Sequence, residues 1–171
     1  MSNRFGVDIA PRGSILAALE EARGLWVYDQ RAKDSQIREQ SQRLRNLADE
    51  LLAQYLHDLR QALADLRRAL PEPTREHPDA DPQALAHIAD FDRFIRSVQD
   101  VRVAISGLPV PDKGIVWRSR AEHIAFLDRL RSLDLELFSE LMSPDEDVLE
   151  RVRAILSRRK GLFQDYVAWG L

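Results

Sequence analysis

Four histidines, at positions 57, 77, 87 and 123, carry the side chains best suited to proton transfer, phosphoryl transfer or metal binding. A carboxylate-bridged metal bundle needs Glu and His three residues apart on facing helices. The residues three before each His are Gln54, Thr74, Ala84 and Arg120, so that spacing is missing. His87 with Asp90 is the nearest chelating pair, and two ligands do not make a closed site. Asp90 with Asp92, or Glu136 with Glu140, could pair as acid and base, yet both pairs read as the solvated faces of amphipathic helices. Ser119 and Ser143 each have a Glu three residues on and read as helix caps rather than nucleophiles. Seven glycines, at 6, 13, 24, 107, 114, 161 and 170, never come close enough together to cradle a phosphate. With no Cys, the chain has no disulfide, no thiolate metal site and no Cys nucleophile. The expectation is therefore no cofactor, no metal and a protein that is not an enzyme.

Surface chemistry offers more. Arg151, Arg153, Arg158, Arg159 and Lys160 form the only dense basic cluster, followed by Leu162, Phe163, Tyr166 and Trp169. Such a segment suits a last bundle helix that buries its aromatics and sets cations near its C-terminus. It would also suit weak contact between the C-terminal helix and a membrane surface, through Arg158, Arg159 and Lys160. Trp26, Tyr28 and Trp117 are large aromatics near helix ends, able to anchor a partner or fill the core. Against 25 Lys plus Arg stand 28 Asp plus Glu, a net charge of −3, so the balance argues against a protein built to hold nucleic-acid backbones.

The elements that position these residues follow from apolar spacing. Residues 1–13 read as a tail or strap, and 14–171 as one all-helical domain. Ser14 caps a first helix with Ile15, Leu16, Leu19, Ala22 and Leu25 on one face. Between Asp29 and Arg43 the pattern fades without a Pro or Gly, so either a solvated helix continues or the chain turns; the good helix formers there favour a continuing or slightly broken helix. Leu44, Ala48, Leu51, Tyr55, Leu59, Ala62, Leu66 and Ala69 then step at close to 3.6 residues, the stripe of a long amphipathic helix. Prolines fill 71–82, the loop of a helical hairpin. Asp81 and Pro82 restart the helix, whose face is Leu85, Ile88, Phe91, Ile95, Val98, Val101 and Ile105. Gly107 ends it where a left-handed residue is wanted, and a second connection runs over 107–119. Ile124, Leu127, Leu130, Leu133, Leu137 and Leu141 make the next stripe, and Val148, Leu149, Val152, Ile155 and Leu156 the last. The fold class is all-α: an antiparallel bundle of four to five helices with a long coiled-coil-like hairpin.

Two families share features with the middle of the long helix. His57, Asp58, Leu59 and Arg60 resemble the H-box of sensor histidine kinases, which implies a phosphorylatable His57 on a dimerising hairpin, although Ala62 replaces the usual proline. The run from His57 through Leu70 also resembles the histidine-centred helix of the CHAD family, and Val98, Gln99, Asp100 and Val101 are similar to that family's later Arg-Asp motif. That resemblance implies an all-α domain binding polyphosphate, with Ala64 and Asp65 where the family carries a basic pair.

The reading that needs least is a non-enzymatic interaction or scaffold protein contacting a protein partner or a second copy of itself, a homodimer. Its rival is phosphotransfer or polyphosphate binding centred on His57. No apolar run is long enough for a membrane span, and the expected compartment is the cytoplasm. Trp26, Tyr28, His57, Arg60, Arg158, Arg159 and Lys160 are the candidate contact residues.

Overall fold

The computed structural model describes residues 5–8, 10–28, 34–70, 81–109, 120–142 and 147–167, with side chains except at 23–28, 34–37, 120 and 167. Among them are five helices and no strand: α1 (Gly13–Tyr28), α2 (Asp34–Arg68), α3 (Pro82–Ser106), α4 (Arg120–Met142) and α5 (Val148–Val167). The candidate caps Ser119 and Ser143, the Pro-rich loop over 71–80, Trp117 and Trp169 lie outside the described residues.

Four of the helices close a ring in which each packs on two neighbours: α2 on α3, α3 on α5, α5 on α4 and α4 on α2. Polar contacts set the directions. Arg45 reaches the Leu108 carbonyl, Arg102 grips Asp49 and Arg67 reaches Asp92, so α2 and α3 are antiparallel. Arg151 pairs with Glu140 and Arg159 with Asp134, which makes α4 and α5 antiparallel as well. Arg153 meets Ser97 and Arg159 meets Pro109, so α3 and α5 run parallel along the side between the two hairpins. The first helix lies in the cleft between α2 and α4, with Leu19 and Ala22 buried in the common core.

Of the segment 29–43, residues 34–43 are helical as the first turns of α2 and 29–33 lie outside the described residues, but α1 and α2 are not one continuous helix. Arg43 pairs with Glu21, 22 residues earlier, at 2.8 Å. One continuous helix would hold them about 33 Å apart. α1 therefore lies back against α2, where it covers the α2/α4 cleft.

The predicted stripe of α2 is buried from Leu44 to Leu59, and Leu47, Leu52, Leu56 and Leu63 are buried beside it. A helix of 35 residues packed by α1, α3 and α4 needs a face wider than one stripe. On α3 the stripe is buried from Phe91 to Ile105, whereas Leu85 stays exposed in the first turn, beyond the reach of the core. Ile124 is likewise exposed, and its neighbour Phe126 takes the interior position. Asp81 caps α3 by accepting from the Gln83 amide at 3.0 Å, with Pro82 opening the helix. Gly107 ends it at φ −85°, ψ 3°, not in the left-handed region: its amide still bonds back to the Val103 carbonyl, so no reversal of the backbone is needed there. At the other end of the hairpin Gly6 takes φ +75°, a conformation that a Cβ disfavours. Phe5 stacks on Phe91 at 4.2 Å and tilts against Phe94, and Val7 is buried.

Two apolar clusters result. The main core joins α1, α2, α3 and the facing halves of α4 and α5. The smaller is made, among the described residues, by α4 and α5, from Phe126, Leu127, Leu130, Leu162 and Phe163. Phe126 meets Phe163 edge-on at 5.1 Å and Tyr166 at 5.2 Å, the arrangement that ring quadrupoles favour.

Candidate functional site

Where the main core gives way to the smaller cluster, three polar side chains are buried. Ser41, Asp134 and Arg159 are each 2% exposed. Arg159 Nε donates to Asp134 Oδ1 at 2.8 Å and Nη2 donates to Ser41 Oγ at 2.9 Å. The Ser41 hydroxyl in turn donates to Asp134 Oδ2 at 2.5 Å. Arg159 Nη1 donates to the Pro109 carbonyl at 2.6 Å, and the guanidinium lies 5.3 Å over the Phe163 ring. One guanidinium thus ties together α2, the end of α3, α4 and α5. Burial pushes the Asp134 carboxyl above its ordinary range, while the charge of Arg159 and the bonds from Ser41 and Arg159 pull it the other way. The cluster is closed: each partner satisfies another, and none is presented to solvent. It is a structural pin, and it holds two residues of the neighbouring groove.

That groove has a volume of about 1080 Å³ and lies between the C-terminal end of α3 and the outer face of α5. Its apolar lining is Ala104, Leu108, Pro109, Leu156 and Phe163. Pro109 and Phe163 are the two that Arg159 holds, one by a hydrogen bond and one through its ring face. Among the described residues of the lining the charged ones are Arg153 and Lys160, and none is a carboxylate, in a chain of net charge −3. Arg153 also donates to the Ser97 carbonyl and hydroxyl, which fixes it along α3, and Lys160 is exposed. Arg153 to Gln164 covers about 16 Å of α5, three helical turns.

The sequence-derived candidates scatter. The basic cluster divides in three: Arg158 is exposed and pairs with Glu136, Arg159 is buried in the pin, and Lys160 lies at the groove. Arg159 is therefore not a surface cation, because Asp134 draws it inward. His57 and Arg60 are exposed on α2, which does not wall the groove. The side chains of Trp26 and Tyr28 lie outside the described residues. His87 is exposed, with its ring 5.6 Å from Phe5. Among the described residues no three of His, Asp and Glu are grouped as a metal site, and no helix is long and apolar enough to cross a membrane.

Ser41 and Asp134 were not among the sequence-derived candidates and Arg159 was expected at the surface, although the phase of the stripes carries a signal for all three. Ser41 precedes Leu44, Ala48 and Leu51 in step; Asp134 falls between Leu130 and Leu137; Arg159 falls between Leu156 and Phe163. A polar residue on an apolar stripe predicts a buried partner, and three such residues predict each other.

No family model, no curated protein and no solved structure matches this chain.

Proposed function

We propose that this chain is a helical protein-interaction module that receives its partner in the α3/α5 groove and acts in the cytoplasm. The observation that carries the reading is the groove itself: an apolar concavity three helical turns long, on a bundle whose described stripes are otherwise buried over most of their length, with Leu85 and Ile124 exposed near helix starts. Exposed Val103, 65% accessible on α3 next to Ala104, extends the apolar surface outward from it. Self-association is the variant of this reading in which the partner is a second copy.

A pull-down from the source organism's lysate tests it, comparing the wild type with the double variant Ala104→Glu, Ser157→Glu. Both positions line the groove and are exposed, so the fold tolerates them. The expected result is a stoichiometric protein retained by the wild type and lost from the variant. Equal retention by both, or none by either, would overturn the reading. Light scattering on the free protein separates self-association from a foreign partner.

A second reading rests on His57, exposed on α2 with Arg60 exposed three positions on: a phosphotransfer or polyphosphate-binding surface. His57→Ala abolishes phosphorylation or polyphosphate binding if it is right, and leaves the groove-dependent partner in place if the interaction reading is right.

A further inference from the structure

We propose that the occupant of the α3/α5 groove is an amphipathic helix of another protein, with its apolar stripe flanked by carboxylates. The inference rests on the interaction reading and specifies its partner.

The molecule itself shows how such a cleft is filled. The ring α2, α3, α5, α4 has two opposite sides, α2/α4 and α3/α5. Along the first lies α1, which sets Leu19 and Ala22 into the core and leaves Glu20 and Glu21 exposed. Along the second, no helix packs among the described residues. A helix of three turns has about the length of the groove, and its residues at i, i+3, i+4 and i+7 would meet Ala104, Leu108, Leu156 and Phe163.

Charge decides what flanks that stripe. Arg153 and Lys160 are the charged residues among the described lining and no carboxylate stands with them there, so a helix bearing Glu or Asp beside its stripe gains two favourable pairings. The same observation argues against a symmetric pairing of the groove with its copy. A two-fold axis through it would bring Arg153 and Lys160 close to their own counterparts. Arg43 with Glu21 is the equivalent flank pairing where α1 sits on α2.

The test is a titration of the full chain with two designed peptides of about 18 residues, each carrying the same Leu stripe, one with Glu and one with Lys beside it. The Glu peptide is expected to bind with Kd on the order of ten micromolar and at least about tenfold more tightly than the Lys peptide. Lys160→Glu, at an exposed position, is expected to reduce or reverse that preference, and Ala104→Glu to weaken the Glu peptide roughly fivefold. Raising salt should weaken the Glu peptide in the wild type and act less on Lys160→Glu. Equal binding of both peptides, binding unaltered in the two variants, or no binding of either would overturn the acidic-helix proposal. A groove-dependent protein captured from lysate alongside failure of both peptides would leave the interaction reading standing and reject only the acidic helix. A dimer of the free chain dissociated by Ala104→Glu would instead identify a second copy as the occupant.

Discussion

Arg159 on α5 and Asp134 on α4 meet at 2.8 Å with both side chains 2% exposed, and the same guanidinium reaches Ser41 and Pro109. A buried ion pair of this kind adds little net stability over an apolar pair of the same shape, since desolvation of both charges offsets much of their attraction. Removing one member is a different matter. Arg159→Met leaves the Asp134 carboxylate without its counter-charge, and a loss of about 3 to 5 kcal/mol in urea unfolding is expected. Replacing both, as Asp134→Leu with Arg159→Met, should recover most of that loss. The single variant should also regain stability on acidification, because a neutral Asp134 no longer requires a cation, whereas the double variant should not.

Ser41 completes the pin from α2. Its hydroxyl donates to Asp134 and accepts from Arg159, so Ser41→Ala strands one guanidinium N–H and one carboxylate lone pair. A destabilisation of about 1 to 3 kcal/mol is expected from chemical denaturation. Ser41→Thr keeps the hydroxyl and should lie closer to the wild type.

Asp49 on α2 accepts two bonds from Arg102 on α3, at 2.8 and 2.9 Å, and a third from Ser106 at 3.1 Å. The hydrogen bond from Arg102 holds its carboxyl below the ordinary value of 3.8, with Ser106 adding to the effect and burial opposing it. Because the folded value is the lower one, the pair's contribution is fully present above 3.8 and is lost as pH falls below it through the folded value. Both side chains are about a third exposed, so solvent screening keeps the effect near 1 kcal/mol. Asp49→Asn should thus lower stability by about that amount at neutral pH and by progressively less below the ordinary carboxylate range.

At the other end of the hairpin Phe5 lies flat on Phe91, with an interplanar angle of 9°, and holds the N-terminal segment against α3. Phe5→Ala removes that stack and the tilted contact with Phe94. The ring is half-buried, so a loss of about 1 to 2 kcal/mol is expected, below that of a fully enclosed Phe. Hydrogen exchange in the first turns of α3 should rise, while α4 and α5 remain unchanged.

The helices were legible because long amphipathic stripes dominate the chain: Leu44 to Leu59 and Phe91 to Ile105 are buried as their spacing predicts. The return of α1 against α2 was not, since residues 29–43 carry neither a breaker nor a stripe. It shows only in the tertiary contact of α1 with α2 and α4. Arg159 was misplaced for a different reason. Between Arg158 and Lys160 it reads as one cation of a surface cluster, and composition hides the fact that its phase is that of Leu156 and Phe163. The groove has no signal along the sequence, because its walls come from two helices that are not consecutive and meet only once the ring has closed.

The most direct measurement of binding through this groove is site-specific photo-crosslinking in cells, with a photoreactive residue at Ser157 in the groove or at Gln61 on the exposed face of α2. Docking in the groove predicts one discrete adduct from position 157, absent from position 61 and lost when Ala104→Glu is added. The same adduct from both positions, or an adduct only from 61, would contradict it.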